Sequence, residues 1–258
     1  MIIELGETAT YSFSEPVEGL ALELRMKTLA LPRQIGLWSG IQTRPAPKRS
    51  DEGLDAFGNS VTTLFLDRAI SRLVISAFNR VLCLNPAPAS TEEEIAPDCL
   101  PQDSCRSDAG LMEASFSESD LDCLARELRS NWHFDPTITD VHRPLDEIAK
   151  TRRGVCQDMC RLAAERLRQY GVPARFVVGY RIPVMQRGSL LRHAWIAARI
   201  AGRWIEVDLA FPPVEARPLV ATAWGSHLEM IGPVIGKTPV PGGTVLRAVA
   251  QGTIQDIP

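Results

Sequence analysis

One of the six cysteines in this chain has the surroundings of a nucleophile. Cys156 lies in the stretch RRGVCQDMC, directly after a Gly-Val pair and at the predicted start of a helix. The first amide N–H groups of a helix have no intrahelical partner, and together with the helix dipole they favour a thiolate, the nucleophilic form of cysteine. Most free cysteines, however, are small buried hydrophobic residues. Position alone therefore leaves a nucleophile, a metal ligand and a buried thiol open.

A nucleophilic cysteine needs a general base, and the register of one predicted hairpin singles out His193. Two strand-like runs flank Ala201-Gly202, which predicts a two-residue hairpin loop. In that register Asp208 projects from the same face of the sheet as His193, diagonally and about 7 Å away between Cα atoms, within reach of a hydrogen bond. A loop longer by one residue would reverse this relation. We therefore predict that Asp208 orients His193 and that His193 takes the proton of Cys156.

The spacing of the two cysteines in RRGVCQDMC disfavours a metal site. Cys156 and Cys160 would need two further ligands, and their separation on a helix is not the tight knuckle of zinc sites. Cys160 is instead expected to pack on the helix face one turn after Cys156, with a redox partner as the alternative. The sequence thus predicts no metal and no cofactor.

Three further residues are weaker candidates for contacts with a substrate or an oxyanion. We expect Trp195, on the strand of His193, to wall the cleft, with a plain core position as the alternative. Trp132 could supply an indole N–H to an oxyanion hole, and it could equally be a core aromatic residue. Gln157 follows the nucleophile directly and is a candidate contact to the substrate or the oxyanion.

Hydrophobic periodicity predicts the elements that must position these residues. In LALELRM apolar residues recur at every second position, and VTTLFL and RLVISAF repeat this strand pattern, so about the first 85 residues are predicted to be β-rich. Helical signals begin at Ser117, which can form an N-terminal cap with Asp120. A second helix is predicted over about 155–170, ended by Gly171 and Pro173. Its residues at helical spacing are Cys160, Ala163, Leu167 and Tyr170.

The order of these elements indicates an α+β fold. The helices precede three strand-like runs, which predicts an antiparallel meander and not a series of βαβ units. The stretch between the β-rich part and the helices is filled with proline, acidic residues and serine. We therefore predict a β-rich N-terminal domain over 1–88, a linker or surface excursion over 89–112 and a catalytic core over 113–258.

Composition and charge exclude several classes of partner. The chain is 45% hydrophobic and 23% charged, with a formal net charge of −3, which offers no electrostatic footprint for nucleic acid or an anionic membrane. The first residues, MIIELGETATYSF, have no basic start and carry two glutamates where a secretory signal would be apolar. Cysteines without such a signal are expected to be free thiols in a reducing compartment. We therefore expect a cytoplasmic protein that binds neither nucleic acid nor membrane.

Several motifs in their order along the chain resemble one known family. RGVCQD, then GVPARFVVGY, then HAW and a strand ending in Asp208 are similar to the core of the transglutaminase-like superfamily. LRMKTLALPRQ and DAFGNSVTTLF look like the β-rich N-terminal domain of its bacterial members, and VATAWGSHLEMIGPVIG looks like their C-terminal strand segment. The resemblance implies a papain-like core, with helices packed on an antiparallel β-sheet or barrel. It also implies a catalytic triad of Cys156, His193 and Asp208.

The implied activity is acyl transfer through a thioester on Cys156. The expected acyl donor is a small molecule or a peptide, including one bound to a carrier protein, and the acceptor is an amine or water. A biosynthetic acyltransferase and an amidase or peptidase need the same triad, so the sequence leaves amide formation and amide cleavage open. The bacterial pattern usually continues the triad aspartate as Asp-Pro-Thr-Asn, whereas this chain reads DLAF, so the substrate stays open as well.

Two alternatives remain. Arylamine N-acetyltransferases share the Cys, His, Asp order, and VDLAF resembles their strand after the histidine, which would mean acyl transfer from a coenzyme A or carrier thioester. They normally have Cys-Phe-Glu where this chain has CQD. The second alternative, from another class, is a non-catalytic binding module on the same fold. Such a module would be expected to have lost one triad residue, and all three are present.

Overall fold

The computed structural model describes residues 1–84, 116–138, 140, 142–182, 191–212, 219–236 and 245–257. The predicted linker over 89–112, with Cys99 and Cys105, lies outside these ranges. The strands are β1 (Ile2–Val17), β2 (Leu20–Leu24), β3 (Gln34–Arg44), β4 (Arg49–Leu54), β5 (Ser60–Leu66), β6 (Ile70–Cys83), β7 (His133–Phe134), β8 (Arg153–Gly154), β9 (Ala174–Arg181), β10 (Leu191–Ile200), β11 (Arg203–Val207), β12 (Leu219–Gly225), β13 (Val234–Gly236) and β14 (Val245–Ile257). The helices are α1 (Glu118–Ser130), α2 (Leu145–Thr151) and α3 (Cys156–Gln169).

Two four-stranded antiparallel sheets build the N-terminal part, as the period-2 pattern predicts. Their strand orders are β14-β1-β6-β3 and β13-β2-β5-β4. Alternate residues of β2 are buried, and they meet buried residues of β5 and β6 in one apolar core. Because β6 belongs to the first sheet and β2 and β5 to the second, the two sheets pack face to face around this core.

A third sheet, in the order β11-β10-β9-β12, forms the centre of the remaining part. All its pairings are antiparallel, and its first three strands are the predicted meander. One face of β10 packs against α1 and α3 in a second core, to which β10 contributes Ala194, Ile196, Ala198 and Ile200. The helices therefore pack on an antiparallel sheet, which is the α+β arrangement that the order of elements predicts.

The helices follow the predicted signals closely, with one exception. Ser117 and Asp120 form the predicted capping box at the start of α1. Gly171 has a left-handed φ of 69° after α3, as expected for a helix-ending glycine. The exception is Tyr170, which does not share the buried face of α3: it caps the helix and is 65% exposed. The short helix α2 was not predicted. No helix in the described ranges is long and apolar enough to cross a membrane.

Strands near the C-terminus return to the N-terminal sheets. β14 pairs with β1 over almost its whole length, and β13 pairs with β2. Two of the sheets therefore combine residues from both predicted ranges, 1–88 and 113–258. The division of the chain into domains over these ranges stays a prediction.

Two buried side-chain amides join the N-terminal part to β12. Gln34 Nε2 donates to the carbonyls of Leu29 (2.7 Å) and Ala221 (2.8 Å), and its Oε1 accepts the N–H of Ala221 (2.9 Å). Asn59 Nδ2 donates to the carbonyl of Trp224 (2.8 Å), and its Oδ1 accepts the N–H of the same residue (2.9 Å). Each amide thus takes the place of a neighbouring strand and satisfies backbone groups that burial would otherwise leave without partners.

Candidate active site

The chain enters α3 through a turn that only glycine can make without a clash. Gly154 has a φ of 155°, and a Cβ atom there would lie 2.2 Å from Oδ2 of Asp158. That oxygen accepts the N–H of Val155 at 2.9 Å and so caps the helix start. Asp158 is fully buried, and this burial raises the pKa of its carboxyl group. The Gly-Val pair and Asp158 together hold the backbone that presents Cys156.

Cys156 is the first residue of α3, as predicted, and is partly exposed. The N–H groups of Asp158 and Met159 already donate to the carbonyl of Val155. The N–H groups of Cys156 and Gln157 make no backbone hydrogen bond among the described residues. These two amides are therefore available at the helix N-terminus, beside the thiol.

The hairpin between β10 and β11 has the predicted register. Ala201 and Gly202 both have positive φ values, of 50° and 79°, as a two-residue type I′ loop requires. Ile200 pairs with Arg203, and the ladder continues to Ile196 and Val207. β11 ends there, one residue before Asp208.

The carboxylate of Asp208 reaches His193, as the register predicts. Its Oδ1 lies 2.9 Å from Nε2 of His193 and also accepts the N–H groups of Ala210 (3.0 Å) and Phe211 (3.3 Å). From α1, Arg129 donates to the backbone carbonyl of Asp208 at 2.9 Å. Backbone N–H groups of the turn after β11 therefore hold the carboxylate in place. Helix α1, through Arg129, fixes the backbone of that turn.

His193 connects the carboxylate to the thiol. Burial alone would lower the pKa of its imidazole, but the hydrogen bond to Asp208 and the interaction with the Cys156 thiol outweigh this and raise the pKa to about 9. Because Nε2 is taken by Asp208, Nδ1 is the ring nitrogen left to exchange a proton with Cys156. A protonated imidazole near neutral pH favours the negative charge of a thiolate beside it.

An aromatic ring covers the imidazole. Phe211 meets His193 edge-on, with ring centroids 5.5 Å apart. The guanidinium of Arg181 lies 3.6 Å from the centroid of the same ring, and its Nε is 3.9 Å from Oδ2 of Asp208. The side chains of His193 and Asp208 are only 4% and 15% exposed, and a hydrogen bond with so little access to water is stronger than an exposed one.

A cavity of about 650 Å³ opens beside these residues. Cys156, Gln157 and His193 line it, so these three predicted residues meet at one wall. Its lining is mainly apolar and includes Leu228, Pro233, Val234 and Ile235. A space of this size and character suits the acyl part of a small or peptidic ligand.

The two predicted tryptophans do not line this cavity. Trp195 is fully buried, donates its indole N–H to Glu206 at 2.6 Å and packs beside His193 with ring centroids 6.0 Å apart. It has the core position that was the alternative to a cleft wall. The indole N–H of Trp132 donates to the carbonyl of Gly154 at 3.2 Å. Trp132 therefore supports the turn before Cys156, and this geometry does not support its expected role as an oxyanion donor.

Several residues around the site had no signal in the sequence. Arg129 lies 79 positions from the carbonyl that it binds. Arg181 and Phe211 are on different elements, and they come into contact only in the folded protein. Phe211 itself could have been noticed as an aromatic residue three positions after Asp208.

Cys160 is fully buried on α3, as predicted, and burial raises the pKa of its thiol well above the usual value.

Comparisons with known proteins agree with this architecture. The transglutaminase-like superfamily core matches residues 112–209, and the bacterial transglutaminase-like N-terminal region matches residues 5–81. The chain therefore belongs to the transglutaminase-like superfamily, a cysteine-based catalytic family.

Individual relatives extend over most of the chain. An uncharacterised protein of Mycobacterium leprae (strain TN) is 26% identical over 220 residues, which cover 75% of this chain and 78% of that protein. A crystal structure of a candidate cysteine protease from Cytophaga hutchinsonii superimposes with a TM-score of 0.73 at 17% identity, covering 100% of this chain and 92% of that one. At this identity the structural likeness establishes the shared fold.

Proposed function

We propose that this protein is a cysteine acyl-transfer enzyme that forms or cleaves an amide bond through a thioester on Cys156. One observation carries the proposal: the imidazole of His193 bonds Asp208 at 2.9 Å and lines the same cavity as Cys156. A nucleophile, an acid–base group and an orienting carboxylate in this order are the parts that acyl transfer requires.

In the first half-reaction the sulfur of Cys156 attacks the carbonyl carbon of the donor, and the carbonyl oxygen becomes an oxyanion. His193 then gives its proton to the leaving group as the bond to that group breaks, which leaves a thioester. In the second half-reaction an amine or water loses a proton to His193 and attacks the thioester carbon. Cys156 leaves as a thiolate beside a protonated His193, and the site returns to its starting state.

The start of α3 is suited to stabilise the oxyanion. The N–H groups of Cys156 and Gln157 make no backbone hydrogen bond among the described residues, and both residues line the cavity. We assign the two oxyanion donors to these amides, which the helix dipole reinforces. The side chain of Gln157 is then free to contact the donor.

Acylation with a neutral activated ester tests the proposal. After incubation with 4-nitrophenyl butyrate and an acid quench, peptide-level mass spectrometry should find a butyryl group on Cys156. The adduct should be lost in Cys156→Ala and kept in Cys123→Ala, a matched control because Cys123 is exposed on α1. Butyrylation of wild-type Cys156 no faster than that of Cys123, or a persistent adduct in Cys156→Ala, would overturn the proposal.

The same experiment separates transfer from hydrolysis. Glycine ethyl ester, added to the acyl-enzyme, competes with water for the thioester. An amide product that rises with amine concentration identifies an acyltransferase, whereas butyric acid as the sole product at all amine concentrations identifies a hydrolase.

A further inference from the structure

The cavity beside Cys156 is lined by one arginine that the triad does not use. Arg192 precedes His193 on β10 and lines the cavity. Among the described residues that line it, Arg192 is the single arginine or lysine. Its side chain is 30% exposed, so part of it stays open to a ligand.

The N-terminal part of the chain holds this side chain in place. Nε of Arg192 donates to Oε1 of Glu7 on β1, a residue 185 positions away that is only 3% exposed. The other carboxylate oxygen of Glu7 accepts the hydroxyl of Tyr180 at 2.5 Å. Tyr180 is also the cross-strand partner of Arg192. Burial, with the charge of Glu7, raises the pKa of Tyr180 well above its usual value, so this hydroxyl stays a donor.

The hydrogen bonds of the guanidinium are incomplete. Nη2 of Arg192 is buried and has no hydrogen-bond partner among the described residues. A buried charged donor without a partner is costly and calls for an explanation. The accessible area of this nitrogen is below 1 Å², so it is the exposed remainder of the side chain that a ligand in the cavity can meet. The planar fork of a guanidinium matches the two oxygens of a carboxylate.

We propose that Arg192 is a specificity residue that selects acyl donors carrying a carboxylate group, and that Glu7 holds its guanidinium at the wall of the cavity. This inference rests on the acyl-transfer function proposed above. The apolar lining of the cavity, which includes Leu228 and Val234, then accommodates the rest of the donor, and the acyl carbon lies at Cys156. A purely structural link between Glu7 and Arg192 is the competing explanation.

Two alkylating probes of similar size and different charge distinguish these explanations. The rates of modification of Cys156 by iodoacetate and by iodoacetamide are measured in separate reactions, with Cys123 as the internal reference. The ratio of the two rates reports the preference of the site for an anion. Because both probes react with the same thiol, a change in its reactivity affects both rates and cancels in their ratio.

We expect Arg192→Gln to lower the iodoacetate-to-iodoacetamide ratio at Cys156 about tenfold, the loss of one charged hydrogen bond, and Arg192→Lys to lower it less. Glu7→Gln keeps an acceptor for the guanidinium and removes the opposing charge, so it should raise the ratio. Arg203→Gln is the matched control, since Arg203 is an exposed arginine in an ion pair with Glu118 on the surface, and it should leave the ratio unchanged.

A substrate pair provides the second measurement. Arg192→Gln should raise KM for the 4-nitrophenyl monoester of succinate about tenfold more than it changes KM for 4-nitrophenyl butyrate, whereas Arg203→Gln should leave the ratio of the two KM values as in the wild type. If Cys156 reacts faster than Cys123 but neither the alkylation ratio nor the KM ratio changes in the folded Arg192→Gln and Arg192→Lys variants, the carboxylate preference is wrong and the acyl-transfer function stands. If Cys156 is no more reactive than Cys123, the proposed function fails first.

Discussion

In the sheet β11-β10-β9-β12, the polar groups next to β12 and those next to β10 differ in how completely they are hydrogen-bonded. At β12, the side-chain amides of Gln34 and Asn59 bond backbone groups of the strand with both their nitrogen and their oxygen. At β10, the thiol of Cys156 lies at an open cavity and Nη2 of Arg192 lacks a partner. Anchoring thus saturates hydrogen bonds, whereas the part proposed for chemistry keeps a thiol at a cavity and a guanidinium nitrogen without a partner among the described residues. Substitutions on the two sides should therefore affect different measurements.

The largest effect is expected when the acid–base group at β10 is removed. His193→Gln should slow acylation of Cys156 by 4-nitrophenyl butyrate about 10²–10⁴-fold, because proton transfer by a positioned histidine contributes on this scale. Stopped-flow release of 4-nitrophenolate measures the rate. His133→Gln, at an exposed histidine on β7, is the control and should react like the wild type; equal rates in His193→Gln and wild type would contradict the assigned base.

A smaller effect is expected from the orienting carboxylate. Asp208→Asn keeps the size of the side chain and removes the charge, so it should slow acylation about 10–100-fold, the equivalent of one charged hydrogen bond of about 1.5–3 kcal/mol. The same assay measures it. Asp122→Asn, on the exposed side of α1, should have no effect. A rate for Asp208→Asn as high as that of wild type would show that His193 does not depend on this carboxylate.

The raised pKa of His193 makes stability depend on pH. The folded protein keeps this proton up to a pKa of about 9, whereas an unfolded histidine loses it near 6.5. Between these values the folded state binds more protons, so the free energy of unfolding should fall as pH rises, by at most about 1.4 kcal/mol per pH unit. The contribution is complete below pH 6.5 and lost above pH 9.

Urea unfolding at several pH values between 6 and 9.5 measures this dependence. In His193→Gln that part of the pH dependence should disappear, while titrations elsewhere in the chain remain. An identical slope in the two proteins would mean that His193 takes up no net proton on folding, either because it is neutral or because its proton comes from the thiol of Cys156.

The smallest effect on the proposed site is expected from a substitution next to β12, at the contact of Gln34 with Ala221. Gln34→Leu leaves the N–H and carbonyl of Ala221 without their side-chain partner, so urea unfolding should show a loss of about 1–3 kcal/mol. The rate of Cys156 alkylation by iodoacetamide should stay within about twofold, because the β10 side keeps its contacts. Gln42→Leu, at an exposed position of β3, should change stability by less than about 0.5 kcal/mol. A large loss of Cys156 reactivity in Gln34→Leu would remove the distinction between the two sides.

Local rules predicted the parts of the site that are close in sequence. The two-residue loop at Ala201-Gly202 fixes strand parity, so the relation between His193 and Asp208 followed from a period of two residues. The capping box at Ser117 followed from side-chain spacing in the same way. Tyr170 shows where such rules stop, since periodicity continued one residue beyond the point at which the helix ends and its side chain turns to solvent.

The sequence by itself determined the nucleophile candidate, its base and its orienting carboxylate, because a helix start and a tight hairpin place these residues through short-range geometry. Only the tertiary structure decided what surrounds them. Glu7 meets Arg192 across 185 positions, and Gln34 meets Ala221 across 187. Contacts over such separations depend on how whole sheets pack, and no local periodicity encodes that packing. The proposed triad could therefore be predicted from the sequence, whereas the cavity that we propose selects its substrate could be found only in the folded protein.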